Sequence, residues 1–104
     1  MKRCCVLGLG YIGLPTAAIV ADSGYEVVGV DVNPEVVSKV NHGLVHIEEP
    51  NLQELVSKVV EKGLLLANKV PCLADIFLIA VPTLFLPAKF TLFFGKLLGH
   101  YVIL

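Results

Sequence analysis

A chain of 104 residues, 56% hydrophobic and only 16% charged, has room for one domain with a buried core and is more apolar than ordinary soluble domains, of which roughly 45–50% is apolar. That balance points to a parallel sheet covered on both faces, or to a chain lacking a partner surface. The net charge of −1, spread over mixed residues, argues against a nucleic-acid surface and against a polybasic membrane patch.

In chain order, Arg3 to Leu7 is a short apolar run ending in glycine, the profile of a buried strand. The period then changes over Gly10 to Ser23. Ile12, Thr16, Ile19 and Val20 recur near helical spacing, and Gly24 supplies a stop. Tyr25 to Val30 reads as a second strand closed by Asp31. A short helix follows, with Asn33 as cap, Pro34 and Glu35 in the first turn and Gly43 after its end. A further helix is expected behind Asn51 as N-cap with Glu54 three residues on. Leu52, Leu55, Val56, Val59 and Val60 form its apolar face, up to Gly63. Leu64 to Ala67 is a short third strand, and Asp75 introduces a fourth, Ile76 to Val81.

Strands alternating with helices predict right-handed crossovers and an α/β architecture, part of a doubly wound parallel sheet of the Rossmann type. We expect residues 1–83 to form that partial domain and residues 84–104 an irregular apolar tail. The change of character is abrupt: no Asp or Glu follows Asp75, and all five phenylalanines, Phe77, Phe85, Phe90, Phe93 and Phe94, lie beyond it. Pro87, Lys89, Gly95, Lys96 and Gly99 interrupt the tail before it approaches the roughly 20 apolar residues of a spanning helix, so membrane insertion is not the expectation. A half-sheet ending at its fourth strand would expose an edge and one face, which the tail would cover only in part.

Gly8, Gly10 and Gly13 carry the chemistry. Spaced as G-x-G-x-x-G between a strand and a helix, with Asp31 at the end of the next strand, they match the dinucleotide-binding pattern in the context that makes it informative. Gly8 permits the sharp turn. Gly10 lets backbone approach a pyrophosphate, and Gly13 removes a side chain where helix meets strand, with Ala17 extending that contact. The pyrophosphate would lie against backbone N–H groups around Tyr11 and Ile12, at the positive end of the helix. Asp31 stands where an acid accepts from the adenosine ribose hydroxyls, and its charge repels a 2′-phosphate, so NAD is expected over NADP. The competing reading makes the glycines a compact connection and Asp31 a strand-end cap.

Other candidates read as structural. Cys4 and Cys5 lie in the first strand, and Cys72 follows Pro71 without a base nearby in sequence. Three unpaired cysteines without metal spacing, and no signal-peptide core, suggest a reduced, cytoplasmic protein. His42, His46 and His100 share no ligand spacing, and the adjacent Glu48 and Glu49 point apart. No metal site and no catalytic residue is expected within the chain.

Taken together, "VLGLGYIGLPTAA", "VVGVDVNPEVVSKVNHG", "HIEEPNL" and "ADIFLIAVPT" resemble the amino-terminal part of the UDP-glucose/GDP-mannose dehydrogenases, most closely the UDP-N-acetyl-D-mannosamine branch, from about Lys2 to Thr83. The resemblance implies a four-electron oxidation of a sugar alcohol to a carboxylate, with two NAD and a thiohemiacetal on a cysteine. It places Tyr11 and Ile12 at the cofactor phosphates, Asp31 at the ribose and Thr83 near the cofactor. It also implies that the nucleophile, the UDP-sugar site and the central helix of a homodimer lie in parts of the family chain that these residues do not match. After Thr83 the family pattern is lost, which suggests a truncated product with a shifted reading frame. Alternative readings are a non-catalytic NAD or nucleotide-binding module, an inactive remnant, and a small protein anchored to a membrane by its tail.

Overall fold

The computed structural model describes residues 2–80 and 101–104. Its elements are β1 (Arg3–Leu7), α1 (Gly13–Asp22), β2 (Glu26–Val30), α2 (Pro34–Asn41), α3 (Leu52–Glu61), β3 (Leu65–Asn68), β4 (Ile76–Ile79) and β5 (Tyr101–Ile103). The strands form one parallel sheet in the order β3-β2-β1-β4-β5. This is the expected Rossmann-type α/β architecture.

The sheet separates two apolar cores because successive strand residues face opposite ways. Cys4, Val6, Val27, Leu65 and Ala67 face the side that carries the helices, where they meet Leu14, Ala17 and Ala21 of α1, Val36 and Val40 of α2, and Leu52, Val56 and Val59 of α3. Cys5, Leu7, Val28, Val30, Phe77 and Ile79 face the other side with Ala74, and no helix residue joins them among those described. Each expected helix forms, with Leu55 and Val60 of the predicted apolar face only half-buried at its margin.

The crossover from β3 to β4 takes residues 69–75 and contains no helix. It must travel back along a short strand and sideways past β2 and β1, a diagonal of about 20 Å from the strand spacing and rise. Seven extended residues span at most about 25 Å, so a helix cannot be accommodated. Ala74 and the half-buried Cys72 of this segment pack on the second core instead.

Two helix starts behave differently. Asn33 has an extended backbone, and its side chain accepts from the Glu35 N–H at 3.0 Å, as expected of a cap. Asn51, expected to cap α3 in the same way, makes no such bond. Its backbone is left-handed, with φ of 65°, a conformation asparagine tolerates, in place of the extended backbone of a side-chain cap such as Asn33.

In the tail, Tyr101–Ile103 pairs with β4 and the Leu104 N–H donates to the Ile79 carbonyl at 2.7 Å. The edge of β4 expected to lie open is therefore occupied. Sequence reading found no strand there because three residues behind an aperiodic stretch carry no alternation to detect. Among the described residues no helix is long and apolar enough to cross a membrane, and no three His, Cys, Asp or Glu side chains are grouped to hold a metal.

Candidate functional site

The carboxyl ends of β1, β2 and β4 converge on the glycine turn. Gly8 leaves β1 with φ of 98°, a backbone open to glycine at little cost, and its N–H donates to the Val30 carbonyl of β2 at 2.7 Å. The Ala80 N–H, at the end of β4, donates to the Leu7 carbonyl at 2.8 Å. Gly13 opens α1 directly above. A methyl group there would drive into the Gly8 carbonyl and come within 3.3 Å of the Ala80 Cβ, so the absent side chain is what lets α1 begin against the sheet. Ala17, one turn on, is fully buried and continues the close approach.

Gly10 faces outward: a methyl group on it would meet nothing within 4 Å. Tyr11 and Ile12 beside it are 68% and 60% exposed, large apolar side chains left bare at the mouth of the turn. Ile12 occupies the cap position of α1 without a side-chain hydrogen bond, and the first turn contains no acidic residue. Within the first turn the Leu14 N–H donates to the Gly10 carbonyl at 3.0 Å, the Thr16 N–H donates to the Ile12 carbonyl at 3.2 Å and Pro15 has no N–H, so what the terminus offers the space over Gly10 is the positive end of the helix dipole and the N–H groups of the turn that precedes it. Open backbone at Gly10 and the positive end of the helix dipole together fit an anionic pyrophosphate.

Asp31 is held at three points. Its N–H donates to the Asn68 carbonyl of β3 at 3.1 Å, one carboxylate oxygen accepts from the Leu9 N–H at 3.1 Å, and the other accepts from the Asn33 N–H at 2.9 Å. The capping role is therefore real, and it fixes the carboxylate beside the glycine turn. Each carboxylate oxygen accepts more than one hydrogen bond, so capacity for ribose hydroxyls remains. Among the described residues Asp31 has no basic partner within ion-pair distance. Val32, next along, is 89% exposed and offers an apolar surface at the same end of the sheet.

The structure thus brings Gly8, Gly10, Tyr11, Ile12, Gly13 and Asp31 together. Thr83 lies outside the described residues. Sequence reading missed Leu9 and Gly29. Leu9 is fully buried, and a methyl group on Gly29 would come within 2.7 Å of a Leu9 methyl, so the glycine in β2 makes room for the side chain whose backbone N–H holds Asp31. A lone glycine inside the apolar run "VVGV" was the available signal, since such a residue marks a close approach.

The cysteines take no part in this site. Burial pushes the Cys4 thiol up to about 11 and the Cys5 thiol up to about 12, leaving both protonated and inert near neutral pH. The half-buried Cys72 packs beside Cys5's core, away from the helices.

Comparison with known proteins then decides the family. The sequence model for the NAD binding domain of the UDP-glucose/GDP-mannose dehydrogenase family matches residues 2–89. The chain belongs to that family. NAD is the cofactor of the matched domain, and the family is one of nucleotide-sugar oxidoreductases. A UDP-N-acetyl-D-mannosamine dehydrogenase from Campylobacter jejuni is 54% identical over 84 residues, which cover 81% of this chain and 21% of that protein. The solved structure of a UDP-N-acetyl-mannosamine dehydrogenase from Staphylococcus aureus superposes with a TM-score of 0.76 at 44% identity, covering 78% of this chain and 20% of that one. A UDP-glucose dehydrogenase from Pyrobaculum islandicum superposes over 99% of this chain and 28% of its own, with a TM-score of 0.80 at 30% identity. The chain spans about a fifth of the length of the curated relatives it matches.

Proposed function

We propose that this chain is the NAD-binding portion of a dehydrogenase that oxidises UDP-N-acetylmannosamine to the uronate. The observation that carries the reading is the pairing of an uncapped helix terminus over Gly10 with a carboxylate fixed by the Leu9 and Asn33 N–H groups. In this reading the backbone of Gly10, Tyr11 and Ile12 receives the pyrophosphate. Asp31 accepts from the adenosine ribose, Val32 lies against the adenine, and Thr83 contributes near the nicotinamide. Bound NAD supplies the hydride acceptor. The substrate class is drawn from relatives such as the Campylobacter jejuni enzyme.

The cofactor unit is assigned to residues 1–83 and the divergent tail to residues 84–104. Cys4 and Cys5 are buried, protonated thiols far less reactive than a nucleophile requires, so neither is offered as a catalytic residue. The same observation favours a second reading, a nucleotide-binding module without activity of its own. The sugar nucleotide and the homodimer contact are assigned to parts of the family chain that these residues do not match. A cytoplasmic location fits the free cysteines.

Calorimetric titration with NAD and NADP tests the cofactor assignment. Wild type is expected to bind NAD saturably and to discriminate against NADP. Asp31→Asn keeps the size of the side chain and removes its charge, so NAD affinity should fall about tenfold and discrimination should shrink. Equal affinity of Asp31→Asn and wild type for both cofactors would overturn the assignment. Formation of NADH from UDP-N-acetylmannosamine by the chain alone would contradict the absence of a catalytic residue.

A further inference from the structure

The outer edge of the sheet carries a device that the cofactor reading does not use. β2 donates to β3 through the N–H groups of Val27 and Asp31, which meet the carbonyls of Leu64 and Asn68. Backbone groups alternate along a strand, so those of Leu65 and Ala67 turn away from β2 toward the open edge. At Ala67 that edge is occupied. The side-chain amide of Asn41, the last residue of α2, accepts from the Ala67 N–H at 2.7 Å and donates to the Ala67 carbonyl at 2.9 Å. One side chain thereby makes both bonds that a neighbouring strand would have made.

We propose that Asn41 is a positioning residue for Asp31, acting as a surrogate strand that fixes the end of β3. The line of action is short. Ala67 precedes Asn68, and the Asn68 carbonyl accepts from the Asp31 N–H at 3.1 Å. The opposite end of α2 closes the circuit: the Asn33 N–H holds one Asp31 oxygen, and the Asn33 side chain caps α2. Helix α2 is therefore fastened beside Asp31 at its start and to the strand that anchors Asp31 at its end. A four-residue edge strand such as β3 would otherwise fray, because its outer backbone groups have no second strand. Asparagine suits the task since its amide has one acceptor and a donor in one plane; aspartate, ionised, has no donor and would oppose the Ala67 carbonyl.

Backbone amide exchange on the full chain tests this without reference to any cofactor. Asn41→Ala is expected to speed exchange of the Ala67 and Asp31 amides by about tenfold relative to Val28, whose N–H faces β1. Gln53→Ala is the control. Gln53 makes a comparable pair of bonds to the Gly43 carbonyl and the Val45 N–H, at 2.6 and 3.2 Å, on a loop with no such line to Asp31. It should leave the Asp31 amide as in wild type.

Asn41→Asp guards against a variant that fails to fold. Its carboxyl reproduces both bonds only when protonated, so relative protection of Ala67 and Asp31 should be lost near neutral pH and return below about pH 4. A second readout rests on the cofactor reading above: NAD affinity should fall in Asn41→Ala, and that loss should vanish in an Asp31→Ala background. Asp31 exchange unchanged in Asn41→Ala, or raised equally in Gln53→Ala, would overturn the role of Asn41. Failure of wild type to take up NAD would count against the cofactor reading alone, and the exchange comparison would still decide on Asn41.

Discussion

The glycine turn has two halves that differ in what their missing side chains do. Gly13 and Gly8 sit on the inside, where α1 meets the sheet, and the space that a methyl group on Gly13 would need is already filled by the Gly8 carbonyl. Gly10 sits on the outside, where a methyl group would meet nothing. One spacing pattern therefore combines a folding requirement with, on the proposed function, a binding requirement. The two are separable because free space in the protein alone becomes forbidden space only when a ligand's backbone contacts require it.

Substitutions can break the distinction in order of effect. Gly13→Ala should be the most damaging: with carbonyl backbone as the clashing group, relief requires α1 to move, and a loss of about 4 kcal/mol or more is expected by urea denaturation. Gly29→Ala clashes only with the Leu9 side chain, which can shift at the cost of packing, so a loss of about 1–3 kcal/mol is expected. Because the Leu9 N–H holds Asp31, weaker NAD binding should accompany it. Gly10→Ala should leave stability within about 0.5 kcal/mol of wild type and yet weaken NAD at least about tenfold in a titration, the sharpest separation of the two halves. A Gly10→Ala protein that unfolds like Gly13→Ala would erase the comparison.

The smallest effect belongs to the far end of α1. There Lys58 of α3 reaches Asp22 at 2.8 Å, and the hydrogen bond from Lys58 holds the Asp22 carboxyl below its ordinary value. A lowered carboxylate contributes its stability above its unfolded value and loses it as pH falls through the folded one. Lys58→Ala should bring the Asp22 titration, followed by carboxyl NMR, back up toward the ordinary range. At so exposed a pair the change in unfolding midpoint should be near zero, and NAD affinity should be unchanged.

How far the sequence could be read follows from the same physics. The first strand was legible to the residue, Arg3 to Leu7, because a buried parallel strand is a continuous apolar run bounded by glycine. The cluster of Gly8, Gly10, Tyr11, Ile12, Gly13 and Asp31, the candidate cofactor site, could be anticipated from glycine spacing and one acid, since that motif encodes backbone geometry rather than side-chain contacts; Thr83 lies outside the described residues. Asn51 was misread as a side-chain cap because residue type does not report φ, and asparagine serves equally as a cap and in the left-handed region. Leu9, Gly29 and Asn41 were hidden for another reason. Their roles depend on which residue of a different element lies opposite, 20 positions away for the pair Leu9–Gly29 and 26 for the pair Asn41–Ala67, and no local pattern carries that register.

Backbone amide NMR shifts, mapped as NAD is added to the full chain, decide whether the outer half of the glycine turn seats the cofactor. Saturable shifts are expected to concentrate at Gly10, Tyr11, Ile12 and Gly13, with a second group at Asp31 and Val32 and little change along α3. Shifts confined to other surfaces, or none in a folded sample, would contradict a cofactor seat at the outer half of the glycine turn.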